Sequence, residues 1–205
     1  MRPLSLFVIA IAGMITLPAL AQSPSAANPP PTVRIRGTVD KLDGDTLTVK
    51  AKDGSMQTIT VAHKSVQYFE KKNLADIKVG DFLASTGIKG TSGKIHAIEV
   101  RIFPKASPDG GRQFPWDLSP DSVMTNATVG QVTQTPNGPL LHVTFTGGES
   151  EYTIGPDVPI LAGADGDKSL LQPGKAVFVI ARKGDDGKLT SARIYVEKDG
   201  VKPPM

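Results

Sequence analysis

Residues 33–50 read VRIRGTVDKLDGDTLTVK. Val33, Ile35, Gly37 and Val39 alternate with Arg34, Arg36, Thr38 and Asp40, a period of two that puts the apolar positions on one face of a strand. Asp43-Gly44 supplies the positive φ of a tight hairpin, and Leu47 and Val49 resume the alternation against Thr46, Thr48 and Lys50. Two half-buried strands joined by a short turn are therefore the unit from which the fold is read.

Downstream, Asp53-Gly54 marks a second hairpin that leads into a third strand, Met56 to Val61. The stretch Lys64 to Lys78 breaks period two and is expected to form a short helix or turn. Gly80 precedes a fourth strand, Phe82 to Lys89, and the Gly90 to Gly93 turn returns the chain into a fifth, Ile95 to Phe103, which stops at Pro104.

The same order recurs about ninety-four residues later. Gly37-Thr-Val39 matches Gly130-Gln-Val132, and Asp43-Gly44 matches Asn137-Gly138. Asp53-Gly54 is answered by Gly147-Gly148, Gly80 by Gly174, and Gly93-Lys94-Ile95 by Gly187-Lys188-Leu189. Each half then holds five strands with a longer connection between the third and fourth, the element order of an OB-type barrel. The expected fold is all-β, two tandem five-stranded OB-like barrels at 33–104 and 126–198. Residues 105–125 form the linker between them, and 199–205 a C-terminal tail.

Upstream, Gln22 to Thr32 (QSPSAANPPPT) has nothing to bury and three consecutive prolines, so residues 22–32 read as an extended tether. Before it come Arg2, an uncharged apolar run from Leu4 to Leu17, and the small-x-small triplet Ala19-Leu20-Ala21. That is a secretory signal, residues 1–21, with cleavage before Gln22. It places the chain in the periplasm or outside the cell. The run is shorter than the roughly 20 apolar residues that cross a bilayer, and no later segment approaches that length, so the mature chain is expected to have no membrane span.

Both halves resemble an OB-like β-barrel domain found in exported bacterial proteins. The second half carries the closer likeness, in Met124-Thr-Asn-Ala-Thr128, in Asp167-Lys-Ser-Leu-Leu-Gln-Pro-Gly174 and in Lys198-Asp-Gly-Val-Lys-Pro-Pro-Met205. These are turn and core residues, so the resemblance implies fold and compartment. Similar sequences are sometimes labelled metal-transporter permeases. A chain without a membrane span cannot be a permease, which leaves an association with metal handling as the implied alternative.

The composition narrows the function. The chain contains no cysteine, which removes disulfides, thiolate nucleophiles and cysteine-ligated metals. It holds 23 Lys and Arg against 20 Asp and Glu, a near balance that loses only Arg2 with the signal. No basic cluster of the kind that binds nucleic acid interrupts it.

Three histidines are present, with no His-x-His or His-x-x-x-His pair. His63 and His96 fall where strands end or begin, at a barrel rim, and are the two metal candidates. Asp43-Gly-Asp45 and Asp165-Gly-Asp167 read as solvated turns rather than calcium loops, which need further ligands at fixed offsets. No Gly-x-Ser-x-Gly or phosphate loop occurs.

The unusual stretch is Arg112-Gln-Phe-Pro-Trp-Asp-Leu118, which gathers the chain's one tryptophan beside Phe114 and Leu118 within the linker. Arg112, Phe114, Trp116 and Leu118 are expected either to staple the two barrels together or to anchor a partner. The expected function is a non-enzymatic envelope module without a cofactor, holding a protein, a glycan or a small ligand. A periplasmic metal-handling protein is the alternative and a hydrolase a third reading.

Overall fold

A computed structural model of the chain describes residues 31–136 and 138–203. The expected signal segment, most of the tether and the end of the tail lie outside the described residues. The protein is all-β.

The first half contributes β1 (Thr32–Asp43), β2 (Thr46–Ala51), β3 (Met56–Thr60), β4 (Val66–Lys72), β5 (Phe82–Lys89) and β6 (Ile95–Phe103). A short strand, β7 (Arg112–Pro115), follows. The second half contributes β8 (Ser122–Thr135), β9 (Gly138–Phe145), β10 (Gly148–Thr153), β11 (Ile160–Asp165), β12 (Ala176–Lys183) and β13 (Leu189–Val196). Single 3-10 turns at Leu74–Asp76 and Lys168–Leu170 precede β5 and β12.

All thirteen strands belong to one hydrogen-bonded sheet. Its pairings close on themselves twice. In a first ring, β1 pairs β2, β2 pairs β3, β3 pairs β13, β13 pairs β12, and β12 returns to β1. In a second ring, β8, β9, β10, β6 and β5 are joined in the same cyclic order. Between the rings β4 and β11 lie antiparallel, with Phe69 opposite Gly163.

The expected division at residues 105–125 is not how the strands pair. Each ring takes a three-strand meander from one half and a two-strand hairpin from the other. The cores follow the same exchange. The first joins Ile35, Val39, Leu47, Val49 and Ile59 to Val177, Val179, Ala181 and Ile194, while the second joins Leu83, Ile95 and Val100 to Ala127, Val129, Leu141 and Tyr152. The reason is physical. The two hairpins carry the same alternation, so local pattern cannot tell a half's own hairpin from its copy. The extended β4 and β11, each parallel to a strand of the hairpin that follows the other, carry the chain across instead.

Three further expectations change in detail. Lys64–Lys78 holds a strand, β4, before its 3-10 turn; Val66 enters the first core while Phe69 is buried on the opposite face, so period two is hidden by burial on both faces. The counterpart of Gly37-Thr-Val39 is Ala127-Thr-Val129 rather than Gly130-Gln-Val132. Val39 bonds Lys175 and Gly174 as Val129 bonds Asp81 and Gly80, and each sits just before a bulge. Gly37 has its own steric reason, because a Cβ there would strike the Lys50 carbonyl as β1 bends between its neighbours. Finally, the linker is partly strand, with β7 running antiparallel along Val123–Asn126 of β8.

Candidate functional site: the cleft between the rings

Residues that alternate with the core residues on the inner strands point out of their ring. In the first ring these are Phe178 of β12 and Tyr195 of β13, which stack at 6.2 Å between ring centroids. Phe69 of β4 stacks on Tyr195 at 4.6 Å, and Leu161 of β11 completes a buried cluster with them. Such offset stacks are favoured by the ring quadrupoles and by the apolar area that they hide.

The linker closes over this cluster. Trp116 is half-buried and meets Phe178 edge-on at 6.4 Å and Phe114 at 5.9 Å. The Arg34 guanidinium lies 4.3 Å from the Trp116 ring centre, and that of Arg36 lies 4.6 Å from the Phe178 ring. Asp117 receives Arg36 in a two-pronged pair at 2.7 and 2.9 Å and faces Arg34 at 3.8 Å. The hydrogen bonds from Arg36, with both arginine charges behind them, hold the Asp117 carboxyl below the usual aspartate range. The Trp116 amide bonds the Ser122 carbonyl at the start of β8. Trp116 thus touches the first ring while its backbone is tied to a strand of the second.

The remaining linker residues divide. Phe114 lies opposite Met124 with the Arg112 guanidinium 5.5 Å from its ring, and Leu118 reaches the cleft described next. The second ring's outward face is polar where the first ring's is aromatic. Glu99 and Arg101 of β6 are buried together at 3.0 Å, and Thr86 donates to Glu99 at 2.9 Å. Arg101 also meets the Met124 sulfur at 3.4 Å through a terminal guanidinium nitrogen, and its Nε is buried without a partner among the described residues.

Between these faces opens a cleft of about 590 Å³. Ile98, Leu118, Val158, Leu161 and Val201 supply apolar wall, and Glu99, Lys71, Lys72 and Lys202 also line it. Lys72 is held by Glu70 at 3.2 Å, whereas Lys71 and Lys202 have no acidic partner among the described residues. Val201, in the expected tail, packs on the aromatic cluster and bridges back to Lys198. A cavity of this size with mostly apolar walls and few polar groups matches the usual small-ligand seat. The sequence singles out Leu118 in the linker and, beside Tyr68 and Phe69, the Lys71-Lys72 pair as the nearest approach to a basic and aromatic ligand face; the other walls come from separate elements and share no local signal.

The histidines are not gathered. His63 is exposed just beyond β3 of the first ring, and His96 is exposed on β6 of the second, its Nδ1 2.7 Å from the Thr153 hydroxyl. His142 faces Glu149 at 3.3 Å. Among the described residues no three His, Asp or Glu side chains come together as a metal would require. Asp45, in the turn between β1 and β2, pairs with Lys168 of the 3-10 turn before β12, and the Asp167 side chain caps that turn at Ser169 with a bond of 2.7 Å.

A buried polar group lies inside the second ring. Tyr152 is fully enclosed, with its hydroxyl bonded to Thr125 and 3.5 Å from the Ser85 carbonyl. Burial pushes its phenol up to about 12, against a partial opposing pull from the Thr125 and Gln113 side chains. Gln113 of β7 reaches Thr125 at 2.8 Å and Ser150 at 3.0 Å, which completes the network. No family model, curated protein or solved structure matches the chain.

Proposed function

We propose that this chain is a non-enzymatic binding module of the bacterial envelope, exported by residues 1–21, in which two OB-like barrels hold a ligand between them. The finer fold assignment rests on the two closed cycles of five pairings, each around its own apolar core. The observation that carries the function is the cleft: apolar walls beside two lysines without an acidic partner among the described residues favour a small amphipathic molecule with an anionic head. Its apolar part would lie on Leu118, Leu161 and Val201, and its head would meet Lys71 and Lys202. Trp116 is the staple in this reading, since it sets the separation of the rings and hence the width of the cleft.

Titration of the full chain with decanoate tests this. Saturable binding at one site, a raised melting temperature and at least tenfold weakening in Lys71→Glu/Lys202→Glu are expected, with decanol binding more weakly than the acid. Binding that the double variant leaves unchanged, or none, overturns the reading. Elemental analysis of the purified chain separates it from metal handling, which requires a stoichiometric metal.

A further inference from the structure

Three neighbouring strands, β4, β11 and β6, form one side of the cleft, and Lys71, Leu161 and Arg101 lie opposite one another across them. Residues opposite one another in a sheet share a face, as do residues two apart in a strand. Lys71, Leu161, Arg101 and Glu99 therefore stand on the side that carries Phe69 and the aromatic cluster. Strands are spaced by about 4.8 Å, so the Lys71 and Arg101 rows are about 10 Å apart.

The Glu99 and Arg101 side chains are only 5% and 6% exposed. Both contacts that hold the Glu99 carboxylate fall on one oxygen. The Arg101 guanidinium reaches Oε1 at 3.0 Å, and the Thr86 hydroxyl donates to the same atom at 2.9 Å. Oε2 accepts from no described residue. It is not sealed inside the fold either, because the enclosed side-chain polar atoms that lack a partner are Arg36 Nε, Arg101 Nε and Ser119 Oγ. The open space that Glu99 lines is the cleft. A carboxylate accepts at both oxygens, so the free capacity of Glu99 is available to whatever occupies that space.

We infer, resting on the ligand proposed above, that this ligand carries a hydroxyl on its chain, apart from its acidic head, and that the hydroxyl donates to Glu99 Oε2. An alkyl chain alone would strip water from Oε2 and return no hydrogen bond, which is unfavourable. Charge selects the donor. Arg101 already balances Glu99, and Lys71, Lys72 and Lys202 line the same cleft, so an ammonium at Oε2 would add a cation with nothing to offset it. A second acidic group would meet the carboxylate. An uncharged O–H avoids both, and a hydrogen bond to an ionised acceptor is the stronger kind. The separation of the Lys71 and Arg101 rows places the hydroxyl along the chain rather than beside the head.

Calorimetric titration of the full chain with decanoate, and with decanoates hydroxylated at carbon 2, 6 or 10, tests this. A hydroxyl at carbon 6 or 10 should tighten binding at least tenfold over decanoate, and one at carbon 2 less than threefold. The methyl ether of the tighter acid keeps the oxygen and loses the donor, and it should bind no better than decanoate. That control leaves the protein untouched. In Glu99→Leu/Arg101→Leu the preference for the hydroxy acid over decanoate should fall to near one. Decanoate binding without a gain from any hydroxyl overturns the inference and leaves the anionic amphipath standing. So does an ether as tight as the alcohol, or a preference that survives the double variant. A gain confined to carbon 2 would place the donor at the lysines and overturns it as well. Failure of decanoate itself to bind overturns both.

Discussion

Inside the first ring, the positions of Ile35, Ile59 and Val179 are aliphatic; at the same places in the second ring stand Thr125, Tyr152 and Ser85, joined by hydrogen bonds. Outside, the first ring presents Phe178, Ile180 and Tyr195 where the second presents Ala84, Thr86 and Arg101. One framework therefore carries two kinds of interior and two kinds of outer face. The difference traces to β7. Its Gln113 gives Thr125 a partner, so a polar triad can be buried there without orphaned groups. No described strand enters the first ring at that point, and apolar residues fill it. The polar outer face needs its own internal pairing, which Glu99 and Arg101 provide.

The comparison breaks most readily at that ion pair. Arg101→Leu leaves Glu99 buried and unpaired, and a loss of about 3–5 kcal/mol is expected in chemical denaturation. Glu99→Leu/Arg101→Leu, which makes this face apolar like its counterpart, should recover most of the loss. A double variant no more stable than the single one would show that the pair does more than satisfy itself.

Trp116→Ala tests the staple across the two faces. Full enclosure would make the loss about 3–5 kcal/mol, and the half-exposed ring lowers the expectation to about 2–3 kcal/mol. A stability-neutral substitution with a readily quenched Trp116 would reassign the residue as a partner anchor.

Tyr152 distinguishes the two interiors by pH. Its pKa in the fold, about 12, lies above the usual value of 10.0, so its stabilising contribution is complete below pH 10 and lost as pH rises toward 12. Up to about 2–3 kcal/mol is at stake, the linkage equivalent of that shift. Tyr152→Phe should lose about 1–2 kcal/mol at neutral pH through the missing hydrogen bond and should flatten the alkaline limb of the stability profile. An unchanged alkaline limb would contradict the enclosed phenol.

The smallest effect belongs to Asp117, which is well exposed. Its lowered pKa stabilises the fold above the ordinary aspartate range, and that contribution is lost as pH falls through the folded value. Solvent screening keeps it under about 1 kcal/mol. Asp117→Asn should flatten the profile below about pH 4 and leave it unchanged above pH 7 apart from this constant loss.

The sequence by itself determined most of the strands and their turns, though not β4, β7 or β11. Alternation in VRIRGTVD and the Asp-Gly and Gly-Gly turns are local, and burial on one face of a strand writes itself into a period of two. It also singled out Arg112, Phe114, Trp116 and Leu118, because aromatic residues in a Pro-rich connection have no local use. The shift of the β1 and β8 equivalence by three residues was hidden, since β8 and β9 are longer than β1 and β2 and the extra length lies beyond the bulge. Only the tertiary structure decided which hairpin closes which ring, because two copies of one pattern compete equally for the same edge. It alone also assembled the cleft, whose walls come from β4, β6, β11, the linker and the tail. Those residues become neighbours only after the chain has crossed between the rings, and a side chain's role in a shared wall leaves no trace in the residues beside it.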